Sequence, residues 1–261
     1  MKNFFRQNDL CNAVHNGENI WFCKIEFLNQ DLEKIKKINK DITLIIGNSD
    51  FTFSRNELEQ IPDNVKTIYA SNSSCTDNIR VFTLPLGVES TTICKREFHG
   101  TPFSFASEKE KNIRQQIEKK DHVYKNLIYC NFSISTNFSV RNELMAKALN
   151  IKHITTSNNI LKYDQYYNEI CNHKANLCPI GNGFDTVRTY ETLYCNRIPI
   201  IYGSDIIYKN LLNDMPCIYI KNLEELENLE NMQYAINEKL NNFVNIEKAY
   251  LEYWIQKIIK T

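Results

Sequence analysis

Arg188 and Glu191, one helical turn apart, are the residues whose types and spacing point most directly to chemistry. They follow the run Lys174-Ala175-Asn176-Leu177-Cys178-Pro179-Ile180-Gly181-Asn182-Gly183-Phe184-Asp185. This run reads as a short buried strand, a glycine turn and the start of a helix over 185–195. A turn built from Gly181, Asn182 and Gly183 lets backbone N–H groups approach a phosphate, and the helix start that follows carries partial positive charge. Arg188 can fork onto phosphate oxygens. Glu191, on the same helix face, can accept from ribose hydroxyls. Asp185 is expected as the helix cap, and Lys174 as a further cation for phosphate. Arg141, near the start of a helix behind the strand 126–131 and the polar loop 133–139, is the second candidate for the diphosphate. Each residue also has a plainer role, such as an Arg188–Asp185 surface pair or a solvated Glu191. Their coincidence on one face below a phosphate-shaped turn favours a ligand.

The elements that must hold these groups alternate. Strands are expected at 20–27, 42–46, 66–70 and 80–84, with helices at 31–38 and 54–58. The β-branched run Ile42-Thr43-Leu44-Ile45-Ile46, closed by Gly47, has the continuous apolar character of a parallel strand buried on both faces. Residues 95–125 turn polar and read as a linker with a short helix. Alternation then resumes. Strands are expected at 126–131, 175–178, 198–202 and 217–220, and helices at 139–149 (capped by Ser139), 161–171, 185–195, 206–212, 223–229 and 232–243. Leu144, Ala148 and Leu149 are expected to face inward. The last segment, 246–259, is amphipathic, with Ile246, Tyr250, Tyr253, Trp254 and Ile258 on one side. The expected organisation is one α/β domain with linker over 1–115, a second over 116–245, and a helix over 246–261 returning to the first.

Composition excludes several classes. The formal net charge is zero, which argues against a general nucleic-acid binder. Nine cysteines occur without a CxxC pair or zinc spacing, and the expectation is reduced thiols in a cytoplasmic core. Met1-Lys2-Asn3-Phe4-Phe5 leads into no apolar segment, so no signal peptide is expected. No apolar run approaches the ~20 residues of a membrane span. There is no P-loop, which argues against a nucleotide triphosphatase.

The run Cys178-Pro179-Ile180-Gly181-Asn182-Gly183-Phe184-Asp185-Thr186-Val187-Arg188-Thr189-Tyr190-Glu191-Thr192-Leu193, followed by Ile198-Pro199-Ile200-Ile201, resembles the nucleotide-sugar-binding half of exostosin-like glycosyltransferases. Looser similarity extends over 42–220 and includes Gly47-Asn48-Ser49-Asp50 and Leu84-Pro85-Leu86-Gly87. The resemblance implies a GT-B fold, two Rossmann-like domains with parallel sheets facing a central cleft. It also implies Arg188 on the diphosphate and Glu191 on the ribose, with UDP the most frequent nucleotide of such enzymes. The chain departs from the family pattern at Ala175, where an aromatic is usual, and in the shortness of its first domain. An acceptor hydroxyl attacking the sugar needs a base in an inverting mechanism. Asp50, just past the strand 42–46, is the first choice, with Glu89 and His99 behind it. No Asp-x-Asp is present. That fits a site without a metal cofactor, in which arginine and helix dipoles offset the leaving group's charge. The expected partners are a nucleotide-sugar donor and a glycan or other hydroxyl acceptor. Two alternatives remain: a nucleotide- or carbohydrate-binding protein without transfer activity, and a glycosyltransferase acting on modified DNA bases through a basic strip over 109–125.

Overall fold

The run Ile42-Thr43-Leu44-Ile45-Ile46 forms a strand buried on both faces, as its lack of alternation predicts. It is the second strand of a four-stranded parallel sheet in the order β1-β2-β3-β4. The strands are β1 (Ile20–Lys24), β2 (Ile42–Gly47), β3 (Val65–Ala70) and β4 (Val81–Thr83). Between them lie α1 (Gln7–Val14, ahead of β1), α2 (Leu28–Ile35) and α3 (Arg55–Leu58). Leu28, Leu32 and Ile35 bury the inner side of α2 against Leu44, Ile46 and Ile68. The computed structural model describes residues 2–119, 124–157 and 159–260. Its first compact unit comprises Met1–Ser104, Gly183–Asp185 and Glu247–Thr261. The final helix α10 (Leu251–Ile259) belongs to this unit, with Leu251, Trp254 and Ile258 buried.

The second unit comprises Phe105–Asn182 and Thr186–Ile246. Its elements are α4 (Ala106–Glu118), β5 (Asn126–Cys130), α5 (Phe138–Ala148), β6 (Ile154–Thr156), α6 (Tyr163–Cys171), β7 (His173–Pro179), α7 (Val187–Tyr194), β8 (Ile198–Tyr202), α8 (Asp205–Ile207), β9 (Ile218–Tyr219) and α9 (Leu229–Asn241). The sheet order is β6-β5-β7-β8-β9, all parallel. Ile128, Ala175, Leu177, Ile198 and Ile200 fill its core from three adjacent strands. Parallel α/β architecture, expected from the alternation of apolar runs and helices, is therefore present in both units.

Several boundaries differ for local reasons. The strand expected over 20–27 ends at Lys24, and Ile25–Phe27 form a tight turn into α2. Helix α5 starts at Phe138, and its cap is Asn137, whose side chain accepts from the Val140 N–H, not Ser139. Leu149 lies past its end and is exposed, contrary to the inward face expected of it. The helix expected over 206–212 is present, as the short α8 continued by a wider π-helical stretch through Tyr208–Leu212. Helix α1 gave no signal because it buries polar Gln7 and Asn8 beside Leu10 and Cys11, which blurs its periodicity. The stretch read as a linker contains the thirteen-residue α4, which packs on α6 and α7. All nine cysteines are buried free thiols, and among the described residues no helix is long and apolar enough to cross a membrane.

Candidate functional site

Counted within its own sheet, the strand order of the second unit is 2-1-3-4-5, and it reverses between β5 and β7. Ligands of such sheets collect at the carboxyl ends of the strands beside the reversal. A cavity of about 580 Å³ lies there. Asn131 and Ser133 line it from the loop after β5, Ser157 and Asn159 from the loop after β6, and Tyr163 and Tyr166 from α6. Arg188 and Glu191 of α7 and Lys109 of α4 complete its charged wall.

Helical geometry puts Arg188 and Glu191 on one face, and the fold turns that face into the cavity. The Glu191 carboxylate is buried. Its Oε1 meets Lys109 Nζ at 2.7 Å and the Tyr167 hydroxyl at 2.7 Å, and the Tyr166 hydroxyl donates to Oε2 at 3.3 Å. Burial by itself would raise its pKa, but Lys109 and Arg188 hold it below the ordinary carboxylate value. Arg188 donates from Nη1 to the Tyr166 hydroxyl and lies over that ring. Among the described residues its buried Nε has no hydrogen-bond partner, a donor that a ligand can satisfy. Two cations and one carboxylate among the cavity's lining residues leave a surplus positive charge suited to an anionic ligand.

The other residues expected to hold the donor do not line this cavity, Arg141 among them. Its guanidinium is buried and donates to three carbonyl oxygens: Nε to Ile180 at 2.7 Å, Nη1 to Ser133 at 2.8 Å and Nη2 to Pro179 at 3.4 Å. It ties the loop after β5 to the end of β7 and does not line the cavity. Burial, with Arg188 nearby, lowers its pKa to about 10. The glycines answer to close packing. A Cβ on Gly181 would come within 3.1 Å of Arg141 Nη2, and one on Gly183 within 2.6 Å of the Asn72 amide. Asn182 is exposed beside them. Asp185 is not the cap of α7, which starts after Thr186. Its carboxylate accepts the Leu86 N–H at 2.8 Å, and its own N–H donates to Asn72 at 3.0 Å. Lys174 sits at the amino-terminal end of β7, away from the strand ends that carry the cavity, and donates to Asn237 at 2.8 Å. Among the described residues none of Gly181, Asn182, Gly183, Asp185 and Lys174 lines the cavity.

In the first unit Asp50 is exposed in the turn after β2. Glu89 is half-buried, its carbonyl receiving Arg6 Nε. His99 is buried, with Nε2 3.2 Å from Asp31 and Nδ1 2.8 Å from the Glu97 carbonyl, a structural position unsuited to a base for an incoming substrate. Among the described residues Cys23, Asp31 and His99 bring metal-ligand atoms within 4.8 Å of one another. Arg96 forks onto both Asp31 oxygens at 2.6 and 2.9 Å, however, setting a fixed cation against the carboxylate that a metal would need. The trio reads as a buried ion-pair cluster.

Sequence reasoning missed Lys109, Tyr166 and Tyr167. The tyrosines carried a signal, because Tyr163, Tyr166 and Tyr167 recur at helical spacing. Lys109 entered the sequence reading only as one end of the basic strip over 109–125, and nothing local set it against Glu191.

No family model matches the chain, and no curated protein sequence matches it. Among solved structures it is similar to an α1,3-fucosyltransferase, at 16% identity over 96% of this chain and 92% of that one, with a TM-score of 0.43. It is also similar to the spinosyn rhamnosyltransferase SpnG complexed with spinosyn aglycone, at 7% identity over 93% and 73% of the two chains, with a TM-score of 0.47. A third is the H444N variant of the wall teichoic acid polymerase TagF, at 10% identity over 96% and 90%, with a TM-score of 0.31.

Proposed function

We propose that this protein is a glycosyltransferase that binds a nucleoside-diphosphate sugar in the cavity at the carboxyl ends of β5 and β6. The observation that supports the reading is the Arg188–Glu191 pair on one cavity wall, with a buried arginine donor awaiting a partner. In this reading Arg188 takes the diphosphate and Glu191 the ribose hydroxyls through Oε2. An acceptor hydroxyl attacks the anomeric carbon, the bond from that carbon to the diphosphate oxygen breaks, and the nucleoside diphosphate leaves. Arg188 offsets the charge that builds on the leaving group, so the reaction as proposed uses no metal. Asp50 is the proposed base that takes the acceptor's proton. The finer reading is an exostosin-like enzyme using UDP, and it rests on the motif over 178–201.

Thermal stabilisation by UDP- and GDP-sugars tests the donor site, with a CMP-sugar, which carries a single phosphate, as the control. One of the two diphosphate classes is expected to raise the melting temperature. Glu191→Ala, compared with its own unliganded form, is expected to weaken binding by ~1–3 kcal/mol. Absence of stabilisation by both diphosphate classes, stabilisation by the CMP-sugar alone, or an unchanged affinity in Glu191→Ala refutes the donor site. Donor consumption in an acceptor screen then separates transfer from binding alone. Asp50→Asn is expected to keep the donor's stabilising effect and lose turnover.

A further inference from the structure

We infer that Lys109, on α4, is a positioning residue of this site: it keeps the Glu191 carboxylate ionised and turned so that one oxygen remains for the ligand. The inference rests on the reading of the cavity as a nucleotide-sugar site.

The geometry is specific. Lys109 Nζ and the Tyr167 hydroxyl both engage Oε1, each at 2.7 Å. Oε2 receives a longer hydrogen bond of 3.3 Å from Tyr166. An ionised carboxylate offers about four acceptor positions, so Oε2 keeps capacity for a hydroxyl pair. Lys109 is itself held in place. Its ammonium lies 5.6 Å from the Phe105 ring centre and 6.0 Å from that of Tyr163, and its side chain is only 14% exposed. Lys109 and Glu191 both line the cavity, so the pair is part of the wall a ligand meets.

The energetics make the pairing consequential. The Glu191 side chain is 4% exposed, and a buried carboxylate without a counter-charge takes up a proton. The charged and titratable groups around it are Lys109 of α4, Tyr166 and Tyr167 of α6, Arg188 of its own helix, Cys178 of β7 and Cys195 just past α7. Of these only Lys109 and Arg188 are cations, and Arg188 is turned toward the Tyr166 hydroxyl. Removing Lys109 therefore takes away the cation that touches the carboxylate, together with the contact that fixes its rotamer. Glu191 then becomes a group whose protonation, and whose hold on a ribose, follows the pH of the medium.

The experiment measures affinity for UDP-glucose and GDP-fucose by calorimetry at about pH 5.5 and about pH 8.5. These diesters, unlike a terminal phosphate with its pKa of about 6, do not titrate in that window. Wild type is expected to bind one of them with an affinity that Glu191 leaves independent of pH. Lys109→Met is expected to bind about tenfold more weakly at the lower pH and to recover part of the loss at the higher. Lys109→Arg is expected to restore the flat profile. If Lys109→Met merely lowers the melting temperature while affinity and pH profile stay those of wild type, the pair is structural only and the inference fails. Should that variant not fold, Lys109→Gln is measured the same way. In wild type, a Glu191 carboxyl carbon resonance that titrates between the two pH values also overturns the inference. If wild type binds neither nucleotide sugar, the donor-site reading falls first and this inference falls with it; binding by wild type with an unaltered Lys109→Met overturns the inference alone.

Discussion

Two arginines of the second unit show how little a residue type says before its neighbours are known. Arg141 and Arg188 are both candidates for a diphosphate. The carbonyls of Ser133, Pro179 and Ile180 surround Arg141, and three of its N–H groups are used in holding chain segments together. Arg188 faces a hydroxyl and a cavity, with one buried donor unmatched. His15 gives a residue-scale prediction in the first unit. Its Nδ1 accepts the Phe22 N–H at 3.1 Å, and burial, with Arg96 and Lys95 nearby, lowers its pKa from 6.5 to about 4. The folded chain therefore keeps this ring neutral where the unfolded chain protonates it. Its contribution to stability is complete above pH 6.5 and drains away as pH falls towards 4. Urea midpoints at the two ends of that window are expected to fall more steeply in wild type than in His15→Gln; equal slopes refute the assignment.

At the scale of elements, the site is made where helices start and strands stop. Helix α7 is anchored to β7 by Asn176, whose amide donates to Thr192 at 2.9 Å, and this orients the Arg188–Glu191 face. Helix α5 begins at Asn137, which does two jobs. Its Oδ1 caps the helix at Val140, and its Nδ2 donates to the Gly181 carbonyl at 3.0 Å. Asn137→Ala removes both. The expected loss is ~1–2 kcal/mol of stability, at the upper part of the range for a cap, read from the urea unfolding midpoint. A midpoint equal to that of wild type means the cap contributes nothing. Helix α4 shows the opposite relation between pattern and role. Its polar composition suits a connector, yet it supplies the cation that pairs with Glu191.

At the scale of the whole molecule, the first unit draws on three separate stretches of chain, the last of which carries α10. Trp254 of α10 is 2% exposed. It meets Phe5 and Tyr69 edge-on with ring centres 6.2 and 6.3 Å apart, and donates from Nε1 to the Lys248 carbonyl at 2.7 Å. Residues near the beginning and end of the chain thus meet at the Phe5–Trp254 contact, at the Phe4–Tyr250 bridge, and through hydrogen bonds such as Phe5 N–H to the Ala249 carbonyl and Leu251 N–H to the Asn3 carbonyl, both 3.1 Å. Trp254→Ala is expected to cost ~3–5 kcal/mol. Calorimetry on the intact chain checks it, and a melting temperature within a degree or two of wild type would show that α10 adds little to the unit.

The unbroken apolar runs at Ile42–Gly47 and Ile198–Tyr202 announce buried parallel strands, because a strand covered on both faces needs no polar alternation. The spacing of Arg188 and Glu191 likewise announces a shared helix face, since both residues lie within one turn and local geometry decides the matter. Other placements depend on distant neighbours. A Gly-Asn-Gly turn reads as a phosphate cradle, and in the fold a Cβ on Gly181 or Gly183 would meet Arg141 or Asn72. Those neighbours lie far off in the chain. The same holds for Lys109 and Tyr167 on Glu191, for Asp185 on Leu86, and for Lys174 at the amino-terminal end of β7. Periodicity and turn chemistry act over a few residues and were legible in the sequence. Which carbonyl claims an arginine, and which lysine meets a buried carboxylate, is decided only when helices and strand ends pack, because burial sets the cost of leaving those charges unmatched.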